Sequence, residues 1–302
     1  MHHEQRKSLA CQRLHSMANQ GRVAEDEGRP EGNGWLGRQR IGVTQWALRA
    51  PLSQAPNKAR MSTAAKHYER HLAPVYVWMA GGSEAALQAG SAEIEALNLP
   101  ITPGAVVLDL GAGFGMHSIP LARRGARVTA IDSSVELLRT LNELRGNLPV
   151  QAINDDLLAF QSHITEEPSA ILCMGDTITH LPELSAVERL IEMASAELPS
   201  GGLLIISFRD YSVPLIGEQR FIPVRNDETR ILTCFLEYEA ETVLVHDILY
   251  ERTSDNWLTR VSHYRKLRLS PEHLITSLQS NGFNVRREAG MRGMVRLVAQ
   301  SV

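Results

Sequence analysis

The sequence predicts an α/β fold, a doubly wound and mostly parallel sheet with helices on both faces. Three observations predict it. The stretch Val106-Val107-Leu108-Asp109-Leu110-Gly111-Ala112-Gly113-Phe114-Gly115 passes from a short apolar run into three alternating glycines and then into helical apolar spacing. A strand that is apolar on both sides suits burial between two helical layers, and the glycines permit a turn that a Cβ would block. From there to Phe208, strand and helix patterns alternate, and four successive strands carry an acid at the carboxyl end. Finally, the residues from Met61 onward suffice for one α/β domain with an elaboration.

Residues 1–60 are unlike the rest. They carry 10 Lys/Arg against 5 Asp/Glu, a charge of +5, so the overall −3 leaves −8 for residues 61–302. Glycines and prolines interrupt every periodic run, which predicts a disordered basic extension. Met61 is then the expected working start of a domain over 61–302. Glu25, Asp26 and Glu27 argue against a transit peptide, and no apolar stretch has the length of a signal peptide or a membrane span. Five surplus charges without aromatic interleaving make a poor nucleic-acid stripe. The three cysteines, Cys11, Cys173 and Cys234, are widely spaced, which excludes a CxxC site and predicts a reducing cytoplasm.

Residues 62–99 read as helices, with Pro74 disturbing the first and Gly81-Gly82 dividing it from a second. Helical spacing of Met116, Ile119, Leu121 and Ala122 predicts a helix from Phe114 to Arg124, whose N-terminal N–H groups favour an anion. A second strand, Arg127 to Asp132, ends in an acid 21 residues after Gly111, the interval at which nucleoside-binding α/β folds meet a ribose. Ser133 or Ser134 caps the helix defined by Val135, Leu137, Leu138, Leu141 and Leu144. A third strand, Pro149 to Ile153, leads to Asp155-Asp156-Leu157, and a fourth, Ala170 to Met174, to Gly175-Asp176-Thr177-Ile178-Thr179-His180. After a helix reaching Leu198, Ser200-Gly201-Gly202 turns into the fifth strand, Leu203 to Phe208.

Residues 209–268 depart from this alternation. Phe221 to Val224, Arg230 to Tyr238, Val243 to Tyr250 and Trp257 to Leu267 read as an antiparallel β insertion shaping a substrate pocket. Ser270-Pro271-Glu272 opens a last helix. Phe283 to Arg287 with Met294 to Ala299 close residues 269–302 as a hairpin.

The glycine spacing decides between two ligand classes. A dinucleotide loop reads G-x-G-x-x-G, and its third glycine would fall at Met116; here the third is Gly115, preceded by Asp109 in acid-x-G-x-G-x-G order. This resembles motif I of the class I S-adenosylmethionine-dependent methyltransferases, and the resemblance covers roughly residues 65–300. It implies a Rossmann-like, seven-stranded sheet with an antiparallel last strand, a cofactor core over 100–208 and a helical lid over 62–99. By the same resemblance, S-adenosylmethionine contacts Asp109, Gly111, Gly113, Gly115, Asp132 with Ser133, Asp155 or Asp156 with Leu157, and Gly175. His180 and Asp176 are the catalytic candidates near the methyl, with imidazole as a proton acceptor. Tyr68, Tyr76 and Trp78 are lid candidates, and Arg209 and Tyr211 face the substrate, with Arg209 suited to a carboxylate.

The G-D-T-x-T-H-L segment and the insertion are loosely similar to N-methyltransferases of the glycine or sarcosine and amino-sugar type. The expected acceptor is therefore a small molecule, nitrogen before oxygen. No metal-ligand cluster is expected, and neither a nucleic acid nor a membrane is an expected partner; oligomeric state stays open. A cofactor-binding protein without turnover and, less favoured, an NAD-dependent oxidoreductase are the alternatives.

Overall fold

The computed structural model describes residues 71–99 and 102–302. The predicted extension over 1–60 and Tyr68 lie outside the described residues. Two helices come first, α1 (Ala73–Ala80) and α2 (Ser83–Leu97). His71 and Leu72 form a π-helical turn that runs into α1 at Ala73, so the helical path is irregular just before Pro74, which sits in the first turn of α1, and Gly81 ends the helix at φ 108°.

The α/β core follows as β1 (Val106–Leu110), α3 (Ser118–Arg123), β2 (Arg127–Asp132), α4 (Val135–Arg145), β3 (Val150–Asn154), β4 (Ala170–Cys173), α5 (Leu184–Glu197) and β5 (Leu203–Phe208). The insertion contributes β6 (Phe221–Asn226), β7 (Arg230–Tyr238), β8 (Thr242–Arg252) and β9 (Trp257–Leu267). The chain closes with α6 (Pro271–Ser280), β10 (Phe283–Ala289) and β11 (Val295–Ser301).

Seven strands form one sheet in the order β10-β11-β5-β4-β1-β2-β3. β1 to β5 pair in parallel, and β11 runs antiparallel to both β5 and β10. The α/β prediction with an antiparallel last strand therefore holds. Side chains of alternate parity divide the core into two layers. Leu108, Leu110, Leu204, Ile206 and Phe208 pack with Val187, Leu190 and Ile191 of α5 and Leu274 and Leu278 of α6. Val107, Val128, Ala130, Leu172 and Ile205 pack with Ile94 and Leu97 of α2, Leu121 of α3 and Leu138 and Leu141 of α4. Each large side chain so buried contributes about 1.5–3 kcal/mol, which fixes a strand that alternation alone would leave free to slip.

The predicted helix over 114–124 is shorter than expected. Gly115 takes φ 89°, outside the helical region, so the chain turns once more and α3 begins at Ser118. The apolar residues Phe114 and Met116 pack that extra turn against α1 and α4.

The insertion is a separate four-stranded antiparallel meander, β6-β7-β8-β9. Its inner face follows from burial: Leu232 and Leu236 of β7, and Val243, Val245, Asp247 and Leu249 of β8 are all buried. The register pairs Val245 with Tyr264 and Val243 with Lys266, which puts those two β9 side chains on the same face.

Candidate functional site

The sheet order reverses between β1 and β4. From β1 the chain winds outward through β2 and β3; from β4 it winds the other way to β5. A crevice opens outside the carboxyl ends at such a switch point, and ligands of open α/β sheets bind there. The glycine loop after β1 and the segments after β2, β3 and β4 all lie on this edge.

Gly111, Gly113 and Gly115 hold φ values of 74°, 56° and 89°. The reasons differ. A Cβ on Gly111 would lie 2.3 Å from the Thr177 side chain, and one on Gly115 would crowd Leu141 at 3.0 Å. At Gly113 a Cβ would meet only Leu137 and Tyr76 at 3.8 and 3.9 Å, so the constraint there is conformational. The loop is tied to β2, whose Ile131 carbonyl accepts from the Gly111 and Ala112 N–H groups at 2.8 and 3.1 Å.

Asp132 stands beside the loop, half-buried. Its Oδ2 accepts from the Gly113 N–H and its Oδ1 from the Ser134 N–H, both at 2.8 Å. Its carboxylate thereby ties the glycine loop to the start of α4. Of the two serines, Ser134 is the cap, accepting from the Leu137 N–H at 3.2 Å, and Ser133 is half-buried. After β3, Asp156 accepts from the Leu158 N–H at 2.9 Å and caps the 3₁₀ turn that carries Leu157. Asp155 receives the Asp156 N–H and pairs with His163 at 2.8 Å.

Asp109, which the resemblance makes a cofactor contact, is turned inward in the structure. Its carboxyl is 1% exposed and accepts from Ser118 Oγ at 2.5 Å, beneath the loop rather than in the crevice. Burial pushes its pKa above the usual carboxylate range, against the pull of His117 and the Ser118 hydrogen bond. Asp109 therefore fastens the first turn of α3 to β1.

After β4, Gly175 is exposed, and a Cβ there would touch nothing within 4 Å. Asp176 follows at φ 76°, a left-handed conformation that few residues other than glycine adopt. Its buried carboxylate accepts from Lys266 Nζ at 2.5 Å, the Arg209 N–H at 2.9 Å and the Tyr211 hydroxyl at 3.3 Å. Burial opposes the charge on both partners, but Lys266 holds the Asp176 carboxyl below its ordinary value and Asp176 holds the ammonium well above its own. The charge of Asp176, a sequence-predicted catalytic candidate, is thus committed to the ion pair. His180, at the end of the same turn, lies with its ring parallel to Tyr264, centroids 5.4 Å apart and planes at 12°.

The remaining candidates separate. Tyr76 packs edge-on against Phe114 of the glycine loop, centroids 5.9 Å apart. Trp78 turns the other way: its indole N–H donates to Asp227 in the β6–β7 turn, and Arg225 and Arg230 lie over its ring. Tyr211 is buried against Leu236 and Val243 of the insertion. Arg209 donates from its guanidinium to the Arg292 carbonyl at 3.1 Å, across to the β10–β11 turn.

Lys266, Tyr264 and Arg268 escaped the sequence reading. Arg268 donates to the Tyr211, Ser212, Glu239 and Ala240 carbonyls and so closes the base of the insertion. The only signal was a lysine two residues from a tyrosine. β9 lacks the apolar alternation that would have marked its inner face.

Residues 107–202 match the family model of a methyltransferase domain. Over those residues the core of this chain is similar to a methyltransferase domain. A glycine/sarcosine N-methyltransferase of Aphanothece halophytica is 35% identical over 112 residues, 36% of this chain and 42% of that protein. A ubiquinone biosynthesis O-methyltransferase of Xylella fastidiosa is 40% identical over 113 residues, 34% of this chain and 42% of that protein. The chain thus spans less than half the length of these curated relatives.

Among solved structures, the CcbJ methyltransferase of Streptomyces caelestis superposes with TM-score 0.65 at 20% identity, over 78% of this chain and 98% of that one. The sugar N-methyltransferase KedS8 of Streptoalloteichus covers 88% of this chain and 100% of its own, with TM-score 0.59 at 14% identity. The likeness to these structures is one of fold, and it reaches beyond residues 107–202. Among the described residues no helix is long and apolar enough to cross a membrane.

Proposed function

We propose that this chain transfers a methyl group from S-adenosylmethionine to a small-molecule acceptor, an amine in preference to a hydroxyl. One observation carries the reading: the Asp132 carboxylate stands at the switch-point crevice, bonded to Gly113 of the glycine loop at 2.8 Å. A carboxylate oxygen has lone pairs for more than one donor, so the group fits a ribose diol set against the loop. Asp156 and the N–H groups after β3 suit the amino and ring nitrogens of an adenine, and open Gly175 leaves room beside β4.

S-adenosylmethionine, when bound, supplies a methyl group already activated by its sulfonium. The chain's own work is therefore alignment and proton management. The acceptor nitrogen attacks through its lone pair, and the proton it sheds passes to His180, whose ordinary pKa lies near neutrality. Tyr76 against the glycine loop and Tyr264 behind His180 wall the crevice with aromatic rings. The resemblance to a glycine/sarcosine N-methyltransferase and to a sugar N-methyltransferase fold supports an amine, and the charge of −8 over residues 61–302 speaks against nucleic acid.

Isothermal titration with S-adenosylmethionine, its demethylated product and NAD tests the cofactor. The first two are expected to bind, and Asp132→Ala to weaken them about 10- to 100-fold, the worth of charge-assisted hydrogen bonds. Binding of NAD alone overturns the proposal. A screen of primary and secondary amines against hydroxyl acceptors, read as demethylated product, then separates nitrogen from oxygen, and binding without turnover identifies a non-catalytic protein.

A further inference from the structure

We propose that Lys266 and Tyr264 of the insertion are positioning residues that hold the His180 ring in register with the crevice. The inference rests on the methyltransferase reading of the site. The turn after β4 runs only from Asp176 to His180, and β9 grips both its ends. At one end Lys266 Nζ meets Asp176 Oδ2 at 2.5 Å; at the other the Tyr264 ring lies parallel to His180, planes at 12°. Lys266 and Tyr264 are two residues apart on one strand and so project from the same face.

Two features argue that the grip is needed. Asp176 sits at φ 76°, a conformation that persists only where surrounding contacts enforce it. The ammonium is also nearly buried, with the Tyr211 and Tyr264 rings 5.9 and 5.7 Å away, so water offers it little alternative to Asp176. Without the ion pair the Asp176 backbone is free to leave the left-handed region, and the His180 ring swings with it. Asp176 on its own turn and the Tyr264 ring on β9 are both neighbours of His180.

Histidine side-chain NMR of the full chain tests this without an acceptor. The His180 resonance, assigned by its loss in His180→Asn, is read well above its titration, where the imidazole is neutral and its shift reports position rather than charge. Stacking on Tyr264 displaces it upfield, and Tyr264→Leu removes that displacement. The decisive variant is the neutral pair Asp176→Asn with Lys266→Met, which removes both charges and leaves no buried ion unpartnered. It is expected to move His180 most of the way to its Tyr264→Leu position, although neither altered side chain stacks on the ring. A His180 resonance unmoved by the pair overturns the proposal. Lys266→Arg, which keeps a cation, is expected to restore more than half of the displacement, and failure to do so assigns the shift to lost packing instead. S-adenosylmethionine affinity is measured on Tyr264→Leu and Lys266→Arg and is expected to stay within about threefold of wild type. If the wild-type chain binds no S-adenosylmethionine, the methyltransferase reading falls while the NMR result still decides the grip.

Discussion

At the scale of single residues, the acids along the carboxyl edge of the sheet divide by what surrounds them. Asp132 is half-buried with two backbone donors, whereas Asp109 is sealed below the loop with Ser118. The two therefore respond differently to removal of charge. The folded pKa of Asp109 lies above its unfolded one, so the folded state binds the extra proton and stability falls as pH rises through that folded value. Asp109→Asn keeps an acceptor for Ser118 and removes the buried charge. It is expected to be neutral to stabilising at pH 7 and to leave cofactor affinity unchanged, as urea unfolding and titration would show. A large loss of affinity would return Asp109 to the ligand. Gly111→Ala is expected to cost about 2–5 kcal/mol, from the left-handed backbone and the Thr177 overlap together; urea unfolding that finds a loss under about 1 kcal/mol would mean that the Thr177 turn yields.

Elements were legible where one physical rule decided them. β2 and β5 occupy the predicted residues because both are short apolar runs between turn residues, and Ser270-Pro271 marked the start of α6. The start of α3 was misread because Phe114 and Met116 continue the helical period, while the positive φ of Gly115 interrupts it. Periodicity reports which residues are buried, not the backbone that buries them. The same limit hid the contact between α2 and the start of α3. There Glu93, 4% exposed, accepts from His117 Nε2 at 3.0 Å, and Arg296 of β11 stands 3.5 Å away.

Burial opposes ionisation of Glu93, but His117 and Arg296 hold its pKa below the ordinary value. Its contribution is therefore complete above the unfolded pKa of about 4.3 and is lost as pH falls through the folded value. Glu93→Gln is expected to flatten the acid limb of the stability curve, measured as unfolding midpoints from about pH 7 down to about pH 3; an unchanged limb would assign that limb to other carboxylates.

Across the whole molecule, the side of the crevice proposed for the cofactor was readable and the side formed by the insertion was not. Gly111, Gly113, Gly115 and Asp132 lie on consecutive elements with fixed turn chemistry, so spacing alone locates them. Lys266 and Tyr264 reach the site from a second sheet, and nothing in their neighbourhood in the chain announces it. The two halves also differ in when they can exist. Gly113 and Asp132 are 19 residues apart, while Asp176 and Lys266 are separated by 90. During synthesis, 90 residues separate Asp176 from Lys266, which takes about 5–20 s at ordinary ribosomal rates. For those seconds the nascent chain holds the proposed nucleoside cradle through Gly175 and an Asp176 without its counter-ion. Cofactor binding is thus expected on ribosome-bound chains arrested before β9, with His180 settling only once that strand has emerged.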